Sequence, residues 1–376
     1  MIPSHRPLTL LGGLTPAQFM RRYWQRKPLL VRAAVPGMKA LLDRRELFAL
    51  ACQADVESRL ILGARPGHHD WQLLRSPLRR KDFPPVRSPA WTLLVQGVDL
   101  HHDAAHALLN RFRFVPDARL DDLMISWASD GGGVGPHTDS YDVFLLQAQG
   151  RRRWRIAPPR PGVRLRPGLP VKILQDFEPQ TEWILEPGDM LYLPPNWAHE
   201  GVALGECMTY SVGFRVPDRD SLAQDLLQRM AETEEAPGAS PLYRDAGAAA
   251  TPQPGRIPAA LAAFAEQAID RLRQQPLRLA RALGESLTEP KPHVWFAPGV
   301  RPQRLTQVRL DRRSRMMYDA HHIFLNGESW RASGADARLM RRLADTRALG
   351  PEDLKTASPA ARDLLRQWCE DGWLQG

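Results

Sequence analysis

The pattern of apolar and polar positions changes its period twice along the chain. Thr15-Pro16 predicts a helix start, a hydroxyl cap followed by a proline whose missing N–H costs nothing there. Phe19, Tyr23 and Trp24 then share one helical face. Lys27-Pro28 ends that helix, Leu29–Val31 reads as a strand, and 44–54 reads as helical again. From about Trp91 to Val216 a period of two takes over. Strands are predicted at Trp91–Val95, 123–127, 141–147, 152–156, Met190–Leu193 and 207–215. Ala148-Gln149-Gly150 reads as a hairpin connection, Glu186-Pro187-Gly188-Asp189 as a turn, and Pro194-Pro195 as a strand stop. Many short strands at this spacing predict a sandwich or barrel of jelly-roll type.

After Pro217 the helical period returns, first at 221–233 and then at 258–273. In the second stretch Leu261, Phe264, Ala265, Ala268, Ile269 and Leu272 form a broad apolar stripe, the mark of a face that packs on core or on a partner. Between the two, 234–258 is rich in Ala, Pro and Gly and reads as a linker. Strands at Val308–Leu310 and 322–326, a hairpin signal at Asn326-Gly327, and helices at 336–343 and 359–371 suit a small winged-helix module. The expectation is therefore an α+β chain in four parts. These are a mostly helical extension at 1–90, a β-domain at 91–217, a helical segment at 218–289 and a winged-helix-like part at 290–376.

Length and composition narrow the class. The 376 residues suffice for two or three domains, and 43% hydrophobic with 25% charged residues exclude a disordered or fibrous chain. No apolar run approaches the ~20 residues that span a bilayer. Residues 1–14 lack the apolar core and cleavage site of a secretory signal. Cys52, Cys207 and Cys369 are odd in number and far apart, which argues against a disulfide framework or a cysteine zinc site. A cytoplasmic protein is expected. Basic residues outnumber acidic ones 51 to 42, and nearly all are arginine. A GC-rich genome accounts for this as well as a surface suited to ribonucleoprotein does. On a strand, Arg151-Arg152-Arg153 alternate faces, so they make no continuous patch for sequence-specific nucleic-acid binding.

The chemistry concentrates in Gly131-Gly132-Gly133-Val134-Gly135-Pro136-His137-Thr138-Asp139. Two residues apart at a strand edge, His137 and Asp139 point the same way. A further imidazole follows at His199, behind Pro194-Pro195-Asn196-Trp197-Ala198. Two histidines and one carboxylate form the facial triad of non-haem Fe(II) oxygenases, which leaves coordination positions open for cosubstrate and oxygen. The glycine run lets backbone pass close to a ligand, and the proline turn supplies rigid support for His199. On spacing alone His137 could equally be a surface loop residue. His101, His102 and His106, and the pair His321-His322, have no carboxylate or cysteine at ligand spacing, so surface or capping roles are expected.

Taken together, these residues resemble the JmjC-type cupin oxygenases, and within them the bacterial ribosomal oxygenases that hydroxylate an arginine of 50S ribosomal protein uL16. The likeness runs through Asp121-Asp122-Leu123-Met124-Ile125-Ser126, Tyr141-Asp142-Val143-Phe144, Gly150-Arg151-Arg152-Arg153-Trp154-Arg155 and Tyr210-Ser211-Val212-Gly213-Phe214-Arg215. Tyr23-Trp24-Gln25-Arg26-Lys27-Pro28 matches as well. The resemblance covers residues 15–217, and beyond them matches in layout only. It implies a double-stranded β-helix catalytic domain, a helical dimerisation segment and a homodimer. It also implies Fe(II) held by His137, Asp139 and His199, with 2-oxoglutarate and O2 as cosubstrates and no separate acid or base residue.

Arg152 would share a strand face with Trp154 and Ile156, and a cation on an apolar face needs an anion. The distal carboxylate of 2-oxoglutarate meets that need in bidentate geometry, although a structural salt bridge or an exposed arginine would fit the same pattern. The resemblance gives this role to Arg152, with a supporting hydroxyl at Ser126. It gives the holding of the target guanidinium to Asp122, Tyr141 and Ser211. The blander reading makes Asp122 a turn cap and Tyr141 core. Rival functions are a ribosomal-protein histidine hydroxylase, a methyl-lysine oxidase, a non-catalytic ribosome-assembly factor on a cupin scaffold, and a small-metabolite cupin.

Overall fold

Local capping sets the first helices. In the computed structural model, which describes residues 3–63, 71–232, 242–246, 253 and 255–376, Thr15 caps α1 (Pro16–Arg22) by a reciprocal capping box with Gln18. Asp43 and Glu46 do the same for α2 (Arg44–Ala51). Most of the linker expected at 234–258 lies outside the described residues. Contacts divide the chain into two units, residues 1–216 with 292–295, and residues 217–291 with 296–376.

The first unit is built on nine strands: β1 (Leu29–Val31), β2 (Ser58–Leu62), β3 (Gln72–Arg75), β4 (Trp91–Val95), β5 (Leu120–Ala128), β6 (Val143–Ala157), β7 (Thr181–Leu185), β8 (Met190–Leu193) and β9 (Ala198–Phe214). Their order is β1-β8-β6-β9-β5-β4-β2-β3, with β7 paired to β6, and all the ladders are antiparallel. Helix α3 (Asp103–Asn110) joins β4 to β5, with His102 at its N-cap accepting the Ala105 N–H.

Two expectations change here. The residues before 91 are not only a helical preface, because β1, β2 and β3 are members of the main sheet. Ala148-Gln149-Gly150 is no hairpin either. β6 runs through it unbroken, with register shifts against β9 on both sides of Gln149 and a φ of +63° at Gly150. A glycine at positive φ absorbs an extra residue as a bulge and bends the strand without ending it. One half of β6 therefore pairs with β8 and the other half with β7, while β9 follows it throughout.

Period two divides the sheet's faces. Along β5, Leu123, Ile125 and Trp127 are fully buried in an aromatic-rich core with Phe19, Phe144, Tyr192 and Phe214. Asp122, Met124 and Ser126 face the other way, into a cavity. A second apolar cluster, including Val143, Leu145, Trp154 and Ile156, lines the barrel interior. Both faces of the central strands are thus committed, which fixes their register, since a one-residue slip would exchange the two sets.

The second unit contains α4 (Arg219–Glu232), α5 (Ala259–Arg273) and α6 (Pro276–Thr288), followed by β10 (Val308–Leu310), β11 (Met316–Tyr318), β12 (His322–Leu325), β13 (Glu328–Arg331), α7 (Gly334–Thr346), β14 (Ala348–Leu349), α8 (Pro351–Lys355), α9 (Pro359–Glu370) and β15 (Leu374–Gln375). Asn326-Gly327 makes the β12–β13 hairpin turn, with positive φ at both residues. The α7 and α9 faces bury Leu339, Leu343, Leu365 and Trp368 on these small sheets. The α5 stripe behaves differently: Leu261, Ala265, Ala268 and Ile269 are exposed. Among the described residues only Phe264, packed against Tyr243, and Leu272 of that stripe are half-buried. No described helix is long and apolar enough to cross a membrane.

Candidate active site

His137, Asp139 and His199 come together, with ligand atoms all within 4.8 Å of one another. Their backbone explains the convergence. His137 and His199 form a bridge in which each N–H donates to the other's carbonyl, at 3.0 and 2.9 Å. The Asn196 N–H donates to the Asp139 carbonyl at 2.7 Å, and Asn196 takes a φ of +63° in the turn that delivers His199. β9 begins nine residues before Cys207, so His199 sits on the strand itself, opposite Ile156.

The imidazoles are oriented by their far nitrogens. His137 Nδ1 lies 2.9 Å from the Gly135 carbonyl and His199 Nδ1 2.9 Å from the Trp197 carbonyl. A carbonyl only accepts, so each Nδ1 carries the proton and each Nε2 presents a lone pair. Both Nε2 atoms face Asp139 Oδ2, at 3.9 and 3.6 Å. Burial and the neighbouring His137 push the His199 pKa down to about 4, which keeps it neutral and ready to bind a cation. Two imidazole nitrogens and a carboxylate fit a divalent iron-type metal. Among the described residues this is the one cluster of three potential ligands.

These ligands open into a cavity of about 530 Å³. Arg152, 3% exposed, lines its deep end. Its guanidinium donates to Ser126 Oγ at 3.1 Å, Thr209 Oγ1 at 3.2 Å and the Gly201 carbonyl at 3.3 Å. It lies over the Trp154 ring, and Nε makes no hydrogen bond. No described carboxylate pairs with it, and burial lowers its pKa. A buried, fully oriented cation without a counter-ion is a receptor for an anion. Gly201 makes this possible, because a Cβ there would stand 2.7 Å from the Trp154 ring and 2.8 Å from Arg152 Nε.

At the other end lie Asp122, Tyr141 and Ser211. Asp122 is 2% exposed, and its Oδ2 accepts from Gln96 Nε2 and the Gly97 N–H, both at 2.8 Å. It caps that turn and lines the cavity at once. Tyr141 is not core: it is 39% exposed at the rim, and burial together with Asp139 raises its pKa, so it stays a neutral phenol. Across the β5–β9 ladder Ser211 faces Met124, and Ser126 faces Thr209.

Period two places Thr209 on the Ser211 face, a signal that singles it out only once Arg152 is seen to need acceptors. Thr209 Oγ1 also donates to Gln147 Oε1 at 3.0 Å. Gln96 lies just past β4 and carries no periodic signal at all. Among the described residues no other histidine joins the cluster, and His322 lies 3.3 Å from Asp319.

Two family models match, the JmjC domain over residues 107–222 and the ROXA-like winged helix over 271–375. The chain is 41% identical over 217 residues to the ribosomal protein uL16 3-hydroxylase of Escherichia coli K12, covering 56% of each chain. It is 37% identical over 211 residues to a probable ribosomal oxygenase of Haemophilus influenzae, covering 56% of this chain and 52% of that one. These alignments span just over half the length of the curated relatives. The solved ribosomal oxygenase YcfD of Escherichia coli, in complex with cobalt and 2-oxoglutarate, superposes with a TM-score of 0.81 at 29% identity, over 96% of this chain and 98% of that one. Residues 107–222 thus carry a JmjC domain and residues 271–375 a ROXA-like winged helix, and the chain has the JmjC cupin fold, similar to that of the solved ribosomal oxygenase YcfD.

Proposed function

We propose that this protein is an Fe(II)- and 2-oxoglutarate-dependent hydroxylase that oxidises C3 of an arginine in 50S ribosomal protein uL16, as a cytoplasmic homodimer. The observation that carries the reading is the buried guanidinium of Arg152, without a described counter-ion, in the same cavity as the His137–Asp139–His199 cluster. A ribosome-assembly scaffold needs neither feature. His137, Asp139 and His199 would hold the iron, leaving coordination sites for exchange. When bound, iron and 2-oxoglutarate supply the oxidising equivalent: one atom of O2 goes into succinate as CO2 leaves, and the other into the substrate C–H bond.

The chain's own groups do the positioning. Arg152 takes the distal carboxylate of 2-oxoglutarate, with Ser126 and Thr209 holding the guanidinium fork in plane. Leu145, Trp154 and Val143 keep that end dry. Asp122 supplies charge for a substrate guanidinium, the Tyr141 ring lies against its plane or stem, and Ser211 accepts from it. A carboxylate suits a guanidinium better than a neutral imidazole, which favours arginine over histidine as target. The exposed α5 stripe supports association with a second copy.

Intact-mass analysis of uL16 from cells with and without the gene tests the reading, with a gain of one oxygen atom on an arginine expected. Hydroxylated histidine instead would replace the substrate assignment. A protein that sediments as a monomer at micromolar concentration would remove the dimer.

A further inference from the structure

Four glycines lie inside the two longest strands, Gly150 in β6 and Gly201, Gly205 and Gly213 in β9. Three have a reason in the backbone or the packing. Gly150 and Gly205 have φ of +63° and +78°, where side chains are strained. Gly201 has no room for a Cβ beside Trp154 and Arg152.

Gly213 has neither reason. Its φ lies outside the left-handed region, and a Cβ there would meet one heavy atom within 4 Å, chain neighbours aside. That atom is Asp122 Oδ1, at 3.6 Å, an ordinary contact distance. Glycine inside a strand has no side chain to pack and more freedom to lose on folding, so the fold alone would favour almost any other residue. The cavity supplies what the fold does not. Gly213 lines it, facing Asp122 across the β5–β9 ladder and Val143 across the β6–β9 ladder. Along the cavity face of β9 the side chains shrink from Thr209 to Ser211 to nothing, while on β5 they run from Ser126 through Met124 to the Asp122 carboxylate.

We propose that Gly213 is a specificity-determining residue whose missing side chain sets the width of the bay where Asp122 receives the substrate's cationic side chain. The inference rests on the arginine-hydroxylase reading. A guanidinium must bring its N–H groups to ~2.7–2.9 Å from a carboxylate oxygen, in the plane of the fork. A methyl group at 213 would rest against Oδ1 and take the space of that approach. It would leave the Arg152 end untouched, because Gly213 lies four residues along β9 from Thr209.

The test uses the full-length chain with Gly213→Ala and Gly213→Val. Five quantities are measured: KM and kcat for uL16, succinate formation without uL16, the thermal unfolding midpoint, and anaerobic binding of an arginine-bearing uL16 peptide to the metal-loaded protein. The KM for uL16 should rise about tenfold for Ala and about a hundredfold for Val. Succinate formation without uL16 should stay within about twofold and the unfolding midpoint should be equal or higher, because both residues suit a strand at least as well as glycine. Wild-type KM and peptide affinity in Gly213→Val would overturn the inference while leaving the arginine reading intact. A lowered midpoint with succinate formation lost in step would overturn it too, by making Gly213 a packing residue. If the wild-type protein does not bind the peptide, the arginine reading itself fails and this inference goes with it.

Discussion

The two ends of the cavity differ in how they meet charge. At the deep end Arg152 is enclosed, and its hydrogen bonds run to hydroxyls and a carbonyl, groups that orient a cation without neutralising it. At the rim Asp122 already accepts from Gln96 and Gly97, Tyr141 is half-open to solvent, and Gly213 leaves space. One end is finished around a small anion of fixed shape, and the other is held wider for a side chain that must enter and leave. A small co-substrate of constant structure permits tight preorganisation, whereas a protein substrate needs room for entry. The metal ligands sit between the two, so loss at either end should read out differently in the same assay.

The largest effect is expected between the ends. Asp139→Ala removes the carboxylate that both Nε2 atoms face and should abolish succinate formation with or without uL16, while the unfolding midpoint stays close to wild type. Retained turnover would undo the ligand assignment. At the deep end Arg152→Ala should cost ~2–5 kcal/mol of 2-oxoglutarate affinity, read by titration, and should lose coupled and uncoupled turnover alike. Asp122→Ala should show the opposite split. Hydroxylation of uL16 should fall at least about thirtyfold by the same physics, while uncoupled succinate formation survives. Hydroxylation at near wild-type rate in that variant would end the contrast between the two ends and make a histidine target the better assignment.

Smaller changes sharpen the contrast. Thr209→Val keeps the volume but deprives the Arg152 guanidinium and Gln147 Oε1 of a partner. Its cost should be ~1–3 kcal/mol, seen as weaker 2-oxoglutarate binding with the KM for uL16 unchanged. The smallest effect is a pH dependence of the metal-free protein. His199 stays neutral down to about 4 when folded, whereas the unfolded chain takes up that proton near 6.5. The native state then binds fewer protons in this window, so stability should fall as pH drops from about 6.5 toward 4, with no further change from this group below. A His199→Gln protein should lack that part of the slope in thermal unfolding, and identical slopes would contradict a buried neutral imidazole.

Much of this site was legible in the chain because strand alternation is local. Asp122, Met124 and Ser126 share a face, and Arg152 sides with Trp154 and Ile156, wherever the strands finally pair, since successive side chains point to opposite sides of an extended backbone. The His137-x-Asp139 pair is readable for the same reason. The Thr15 cap was readable too, since a capping hydroxyl meets its partners within one turn.

What the tertiary structure alone decided involves partners far apart in sequence. Whether Gly150 ends a strand or bends it depends on β9 running alongside, and a bulge exists only relative to a neighbour. Thr209 and Gln96 acquired roles when β9 and the segment after β4 came up beside Arg152 and Asp122. The α5 period announces an apolar face but not what covers it, so burial or exposure of Leu261 and Ile269 was open until the helix was placed. Gly213 is the sharpest case. A glycine in a strand reads as a defect until the distance from its absent Cβ to Asp122 Oδ1 is known, and that distance is set by the β5–β9 register, a non-local property of the sheet.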